Sequence, residues 1–293
     1  MPEKVILDCD NTMGLPLHEV DDGLALLYLL GKPDIDLLGV TTTFGNGLLK
    51  QVLHQTVKLM ADLRIELDVY EGEDRKNKGK ETPAARYLVE QAQKWGKDLT
   101  IIATGPLGNL ATANRLDPAF FTRIKQIICM GGKVHQLKIG WRDLFELNFS
   151  ANPQAAYTVL TAPCAITLMS SHVCTQASID RHLIDQLTFW PPNFRRMLKR
   201  WLLAFGAYCG TKDFYLWDLL PVVYLTNPEL FEVASAHLAS VVDDLQKGRL
   251  VTTKNPQYPR VNFPINIVDK EGFYKVLIAG WENSAKAYPF KGY

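Results

Sequence analysis

The stretch KVILDCDNTMGLPLHEVDDGLALLYLLG (4–31) is the unit on which the fold turns. Its first part, KVILDCD (4–10), is a short run rich in Ile, Leu and Val that ends in carboxylates, which predicts a buried strand. Its last part, DDGLALLYLLG (21–31), has apolar residues at helical spacing, two aspartates in the first turn and a closing glycine, which predicts a helix. The same rhythm continues outward. IDLLGVTTTFG (35–45), LDVYEG (67–72), LTIIATG (99–105), KQIICMGG (125–132) and CAITLMSS (164–171) read as strands. GLLKQVLHQTVKLMADL (47–63), AARYLVEQAQKW (84–95), GNLATANRL (108–116) and NPQAAYTVLTA (152–162) read as the helices between them. From Ile179 to Leu225 the pattern is mostly helical, punctuated by Pro191-Pro192. Two strand-like runs, ASAHLASVV (234–242) and RVNFPINIV (260–268), precede a last helix, EGFYKVLIAGW (271–281). Alternating strands and helices predict an α/β fold: an open, mostly parallel, Rossmann-like sheet with flanking helices and a helical insertion. No linker composition or internal repeat divides the chain, so 1–293 is expected to form one domain.

Composition narrows the function classes. With 47% hydrophobic and 22% charged residues and a net charge of +1, the chain is neither disordered nor collagen-like. It has no basic run that would track a nucleic-acid backbone, so nucleic acid is not an expected partner. Cys9, Cys129, Cys164, Cys174 and Cys209 are widely spaced, without metal-binding or redox spacing, and read as reduced core residues of a cytoplasmic protein. The first residues lack the apolar stretch of a signal peptide, and no run of about 18 apolar residues suggests a membrane span.

The polar residues collect where predicted strands end, and in open parallel sheets ligands bind outside those ends. Asp8-Cys9-Asp10, Thr43-Phe44-Gly45-Asn46, Thr104-Gly105-Pro106 and Met130-Gly131-Gly132 all have this position. Strand alternation puts Asp8 and Asp10 on one side, where two carboxylates repel unless a cation or a shared proton offsets them. Asp21-Asp22 follows across a loop; Asp21 alone reads equally well as a helix cap. Together these carboxylates suggest an oxygen-ligand site for Ca²⁺ or Mg²⁺, since no His or Cys cluster favours a softer metal. The glycines of Met130-Gly131-Gly132 suggest close backbone packing beneath it.

Two families resemble the first ten residues. The strand followed by DCDNT resembles the first motif of haloacid-dehalogenase-like phosphatases, which would make Asp8 a nucleophile, with Asp243 and Asp244 as a late acidic pair; no Lys motif of that family lies between them. A longer resemblance uses VILDCD…DDGLALLYLL, VTTTFGN, IIATGPLGNLATA, ICMGG, FELNFSANPQAA, YLWDLLPVVYL and VDKEGFYKVLIAGW, in that order. Together these blocks are similar to the nucleoside hydrolases, which cleave the N-glycosidic bond of ribonucleosides. The resemblance implies one Ca²⁺ held by Asp10, Asp22, Asp218 and the Thr104 carbonyl. It implies that Asp21 grips a ribose hydroxyl, that Glu146 and Asn148 hold the sugar, and that Asp8 and Asn46 support the metal loop, Asn46 also bordering the substrate. It further implies Asp10 as general base toward water, a small-molecule nucleoside as partner, and a homodimer or homotetramer.

The chain departs from that pattern at defined places. DxDxxxDD is stretched by seven residues into DCDNTMGLPLHEVDD, so the loop between Asp10 and Asp21 must bulge outward. The expected Asn six residues before Glu146 is Gly140 and the aromatic between Glu146 and Asn148 is Leu147, which leaves the 5′-hydroxyl contact open. Asn152-Pro153 reads as a helix cap. Trp217 precedes Asp218 as in the purine-preferring branch, and stacking of its indole on a purine would favour that base slightly. Its alternative is a core aromatic. Trp141 as a second stacking wall, and His18 or His135 as acid toward the leaving base, are further candidates. A relative that binds a nucleoside or ribose-like ligand without turning it over is a third reading beside hydrolase and phosphatase.

Overall fold

A computed structural model of the chain describes residues 1–290. The strands, in chain order, are β1 (Glu3–Cys9), β2 (Ile35–Thr42), β3 (Val69–Tyr70), β4 (Leu99–Ala103), β5 (Gln126–Met130), β6 (Lys138–Ile139), β7 (Arg142–Asp143), β8 (Ala165–Met169), β9 (Ser178–Asp180), β10 (Asp213–Tyr215), β11 (Phe231–Leu238), β12 (Thr252–Thr253) and β13 (Arg260–Ile267). Nine of them form one sheet in the order β12-β11-β13-β8-β5-β4-β1-β2-β3. The neighbours from β8 to β3 pair parallel, β13 joins β8 parallel, and only β11 is reversed, pairing antiparallel with both β13 and β12 at one end. The expected α/β class is therefore the observed one.

This order places the site. The chain moves from β1 outward to β2 and β3, then returns to lay β4 on the other side of β1 and continues to β5. The direction of winding reverses between β1 and β4, and a crevice opens above the carboxyl ends at such a reversal. Register carries the ladder to the crevice: Asp8 lies opposite Thr41 and Ala103, the Thr104 N–H donates to the Asp8 carbonyl (2.9 Å) and the Thr43 N–H to the Cys9 carbonyl (3.0 Å).

Both sheet faces are covered. Val5, Leu7 and Cys9 of β1 point into an apolar layer shared with Leu24, Tyr28, Leu219, Leu277 and Trp281, whereas Ile6 points into a second layer with Leu88, Leu110 and Val159. This is the alternation a two-sided sheet demands. Helix Asp21–Leu30 lies against helix Lys270–Ala287, with the Trp281 indole N–H donating to the Leu24 carbonyl (2.9 Å). Gly31 closes the first of these helices with φ −89°, so it is not required for a left-handed turn. A Cβ there would stand 1.8 Å from the Gly280 carbonyl oxygen, and close helix approach is what its glycine permits.

The region expected to be mostly helical from Ile179 to Leu225 holds helices Arg181–Gln186, Pro192–Cys209 and Leu219–Thr226, but also the antiparallel pair β9 and β10. Three-residue strands are too short to show a period, and their pairing joins Ser178 to Tyr215 across the whole insertion. Among the described residues no helix is long and apolar enough to cross a membrane.

Candidate functional site

At the reversal, Asp10 follows β1, Asn46 follows β2, Thr104 follows β4 and Met130 ends β5. Asn46, Thr104 and Met130 border a cleft of about 210 Å³, open to solvent, whose other walls come from Glu19, Leu144–Asn148, Ser171, Trp217 and Asp218. A concave site where several polar groups converge suits a small ligand. Of the residues singled out in the sequence, Asn46, Thr104, Glu146, Asn148, Trp217 and Asp218 line it directly.

Asp10, Asp21 and Asp22 lie beneath this lining, each tied to a lining residue. The Asn46 backbone N–H donates to Asp10 Oδ2. The carboxylate is clasped by two glycines: a Cβ on Gly45 would stand 1.9 Å from Oδ2, and one on Gly105 2.9 Å from Oδ1. Thr104 Oγ1 donates to Asp22 Oδ1 (2.7 Å), and Asp22 is within hydrogen-bond reach of Asp10. The Asp218 N–H reaches Asp21 Oδ2 (3.4 Å), and the Asp21 and Asp218 carboxyls also meet. The N-cap of helix Asp21–Leu30 is Val20, so neither aspartate is the cap. Their place in the first turn still puts them where the helix dipole tolerates negative charge.

Removal from water raises all four acids, and repulsion from neighbouring carboxylates adds to this at Asp10, Asp22 and Asp218. Asp10 and Asp218 are held well above the usual carboxylate range, Asp22 is pushed up to about 7 and Asp21 to about 6. No Lys, Arg or His is among the groups that act most strongly on them. Asp10 Oδ1 and Asp21 Oδ1 are buried with no hydrogen-bond partner. Buried carboxylates without a counter-charge are costly, and a hard cation taking oxygen ligands fits both the charge and the orphaned atoms. Among the described residues no three Asp, Glu, His or Cys side chains stand ready around one point, because these carboxylates pair with each other instead. The Thr104 carbonyl accepts from Asn148 Nδ2 (2.7 Å), which occupies one of its two lone pairs.

Asp8 has partners of its own. Although alternation from Asp8 to Asp10 was expected to put both on one side, β1 ends at Cys9 and the two acids have separate partners. Asp8 Oδ1 accepts from Thr41 Oγ1 (2.5 Å) and Asn109 Nδ2 (2.7 Å), fully buried and off the cleft lining. Asp244 is paired with Arg249 and caps the Val241 N–H, so one member of the acidic pair of the phosphatase reading is occupied.

Glu146 is buried, and its carboxylate accepts the N–H groups of Phe149 (3.0 Å) and Ser150 (3.1 Å). Asn148 bridges Thr104 and the Met130 carbonyl (3.1 Å), tying β4 to β5 at the cleft. Trp217 forms one wall, its ring 5.2 Å from that of Tyr215. Gly131 and Gly132 pack on Phe149 and Leu250 as expected of a close-packed floor, and Asn152 caps its helix through the Ala155 N–H. The three remaining candidates are not in the cleft lining. Trp141 is exposed, with its indole N–H on the Tyr208 carbonyl (3.1 Å); His135 packs on His172, ring centres 3.9 Å apart; His18 lines a separate cavity between the 14–20 loop and helix Pro192–Cys209. Gly140, between β6 and β7, has φ +54°, and a Cβ there would stand 2.0 Å from the Cys209 carbonyl oxygen. A glycine is therefore required by the hairpin, whose tip is fastened to that helix and not to the cleft.

The stretched loop does turn outward at Pro16 and Leu17, while Asn11 and Met13 stay buried and Thr12 Oγ1 closes its neck on the Glu19 carbonyl (3.0 Å). This brings Glu19 into the cleft wall, where it also accepts from the Asn46 side chain. Sequence reasoning missed Glu19 and Ser171. The only signal for Glu19 was its nearness to Asp21-Asp22, and nothing marked Ser171.

Comparison with known proteins extends this picture. The pyrimidine-specific ribonucleoside hydrolase RihB of Escherichia coli (strain K12 / DH10B) is 29% identical over 209 residues, 61% of this chain and 64% of the relative; the chain thus spans less than two thirds of the length of the curated relatives it matches. Among solved structures, the plant nucleoside hydrolase PpNRh1 superposes with a TM-score of 0.83 at 22% identity, covering 96% of this chain and 99% of that one. The purine-preferring ribonucleoside hydrolase from Gardnerella vaginalis gives 0.83 at 22% identity, covering 97% and 99%. At such identities these structures establish the fold, and the sheet order and cleft described above are that fold. A family model described as inosine-uridine preferring nucleoside hydrolase matches residues 5–275, from the first strand to the last helix, and the chain belongs to that family.

Proposed function

We propose that the protein is a Ca²⁺-dependent nucleoside N-ribohydrolase that releases the free base and ribose from ribonucleosides. One observation carries this reading: a buried set of carboxylates, Asp10, Asp21, Asp22 and Asp218, lies under a small-ligand cleft with orphaned oxygens and no basic partner. Asp10, Asp22, Asp218 and the Thr104 carbonyl would hold the ion, which when bound supplies positive charge that orients water and the ribose diol.

The protein's own groups divide the remaining work. Breaking a ribosyl C–N bond develops positive charge at the anomeric carbon, so the site must accommodate that charge, deliver water and let the base depart. Asp10, clasped by Gly45 and Gly105 and steadied by the Asn46 N–H, takes the proton from the attacking water. Asp21 and Asn148 hold the ribose hydroxyls, and Glu146, which lines the cleft and also orders the turn that presents Asn148, holds the sugar beside it. Fixing sugar and water together supplies the advantage of proximity. The nearby carboxylates also suit the developing charge. The same reading places the protein in the cytoplasm as a homodimer or homotetramer in nucleoside salvage.

Base preference rests on Trp217. Its position in the cleft wall supports stacking, which favours a fused purine over a single ring; RihB is named for pyrimidines and the Gardnerella relative for purines. Base release from inosine, guanosine, uridine and cytidine, together with phosphate release from a generic phosphate ester, with Ca²⁺ or with chelator, tests the whole reading. Release of base that stops in chelator is expected; phosphate release alone would overturn it. Trp217→Ala should lower kcat/KM for inosine or guanosine by about 10-fold more than for uridine, from the stacking range for an aromatic pair. Equal losses would leave Trp217 a packing residue.

A further inference from the structure

We infer that Glu19 is a substrate-positioning residue whose carboxylate accepts a hydrogen bond from a donor of the nucleoside outside the ribose diol; this rests on the nucleoside hydrolase reading. The residue lies in the loop that separates Asp10 from Asp21, and that loop is built to present it. The Thr12 hydroxyl holds the Glu19 backbone carbonyl at 3.0 Å, Met13 is buried against Gly23, and the next residue, Val20, is the N-cap of the following helix. Glu19 thus enters the cleft from a braced position, while its neighbour His18 lines a different cavity.

The neighbouring acids either carry backbone hydrogen bonds of their own, as Glu146 does, or belong to the set proposed for the ion and the ribose diol. Both Glu146 oxygens take backbone N–H groups, Asp10 Oδ2 takes the Asn46 N–H, and Asp22 Oδ1 takes the Thr104 hydroxyl. The hairpin that carries Gly140 is fastened to the end of helix Pro192–Cys209 and offers no side chain at that position. Glu19 receives one side-chain hydrogen bond, from Asn46, and a carboxylate can accept several. It also faces the negative charge of Asp21 and Asp22. A donor from the bound molecule offsets the cost of placing one more acid there. A nucleoside has two such donors away from the diol, the 5′-hydroxyl and the N–H of the base.

The test uses the full chain as wild type, Glu19→Ala and Glu19→Gln, with uridine, 5′-deoxyuridine and 3-methyluridine, or inosine, 5′-deoxyinosine and 1-methylinosine if purines are the better substrates. In the wild type kcat/KM should fall by about 10–100-fold for one of the two analogues, the range for a hydrogen bond to a charged group. The analogue affected identifies which donor is bound. In Glu19→Ala that ratio should collapse to about 3-fold or less, whereas Glu19→Gln, which keeps an acceptor oxygen, should retain part of it; bound calcium, measured by elemental analysis, should be unchanged in both. Calcium lost from Glu19→Gln would assign the residue to the ion and overturn the inference. An active wild type whose two ratios persist in Glu19→Ala overturns it alone. A wild type that releases no base from any nucleoside removes the hydrolase reading and this inference with it.

Discussion

Asp10→Asn is expected to lower base release by about 10²–10⁴-fold, the range over which a positioned general base contributes. The amide is nearly isosteric and its oxygen can still take the Asn46 N–H, so the clasp between Gly45 and Gly105 can stay filled. What it cannot do is accept a proton from water or bring negative charge to a cation. Asp8→Asn is the matched control. Asp8 Oδ1 already accepts from Thr41 and Asn109, an amide oxygen can do the same, and the residue does not line the cleft. Its loss is expected to stay within about 10-fold, below the lower bound for a general base. The comparison is a kcat measurement on the preferred nucleoside with each variant's melting temperature as a folding check. Near-wild-type turnover by Asp10→Asn would remove it as the base. A phosphoryl or fluoroberyllate adduct on Asp8, with no base released, would instead revive the phosphatase reading.

Asp218→Ala is expected to abolish both calcium binding and turnover. Asp218 is buried, lines the cleft and meets Asp21, so its removal takes a charged oxygen ligand from the proposed set. Binding is visible without activity. Calcium at about 100 times its dissociation constant stabilises a one-site protein by about 2.7 kcal/mol, and for chains somewhat shorter than this one each kcal/mol raises Tm by about 2–4 °C. Wild type should therefore melt several degrees higher with calcium than with chelator, and Asp218→Ala should melt at the same temperature in both. A calcium-dependent shift of wild-type size in the variant would take Asp218 out of the ion site. Turnover measured on the same samples links the ion to the reaction.

Much of the site was legible because its residue types are unusual where they occur. Carboxylates, amides and hydroxyls at the ends of apolar runs, as in VILDCD, VTTTFGN and IIATG, are costly to bury, and the sheet gathers such ends into one crevice. Asp10, Asn46 and Thr104 could be placed together on that ground and Asp21-Asp22 joined them as the acids that open the next helix, while Glu146, Asn148, Trp217 and Asp218 came from the order of spaced motifs. Alternation alone did not give the partners of Asp8, because it holds only while a strand lasts and β1 stops one residue before Asp10. Glu19 was missed because a loop has no period that tells which side chain turns toward a ligand. The extra loop hid a cleft residue, Glu19, next to one of another cavity, His18.

The sequence by itself determined the alternation of strands and helices, hence the α/β class, and the motif order that identifies the family. These are local properties: apolar spacing sets strand or helix within a few turns, and motif residues keep their neighbours whatever the packing. Only the tertiary structure decided that β4 returns beside β1, that Thr104 therefore faces Asp22, and that β9 pairs with β10 across a helical insertion. Those contacts join segments tens of residues apart, and they are selected by burial of both sheet faces and by backbone pairing across the sheet, neither of which leaves a periodic mark on the chain.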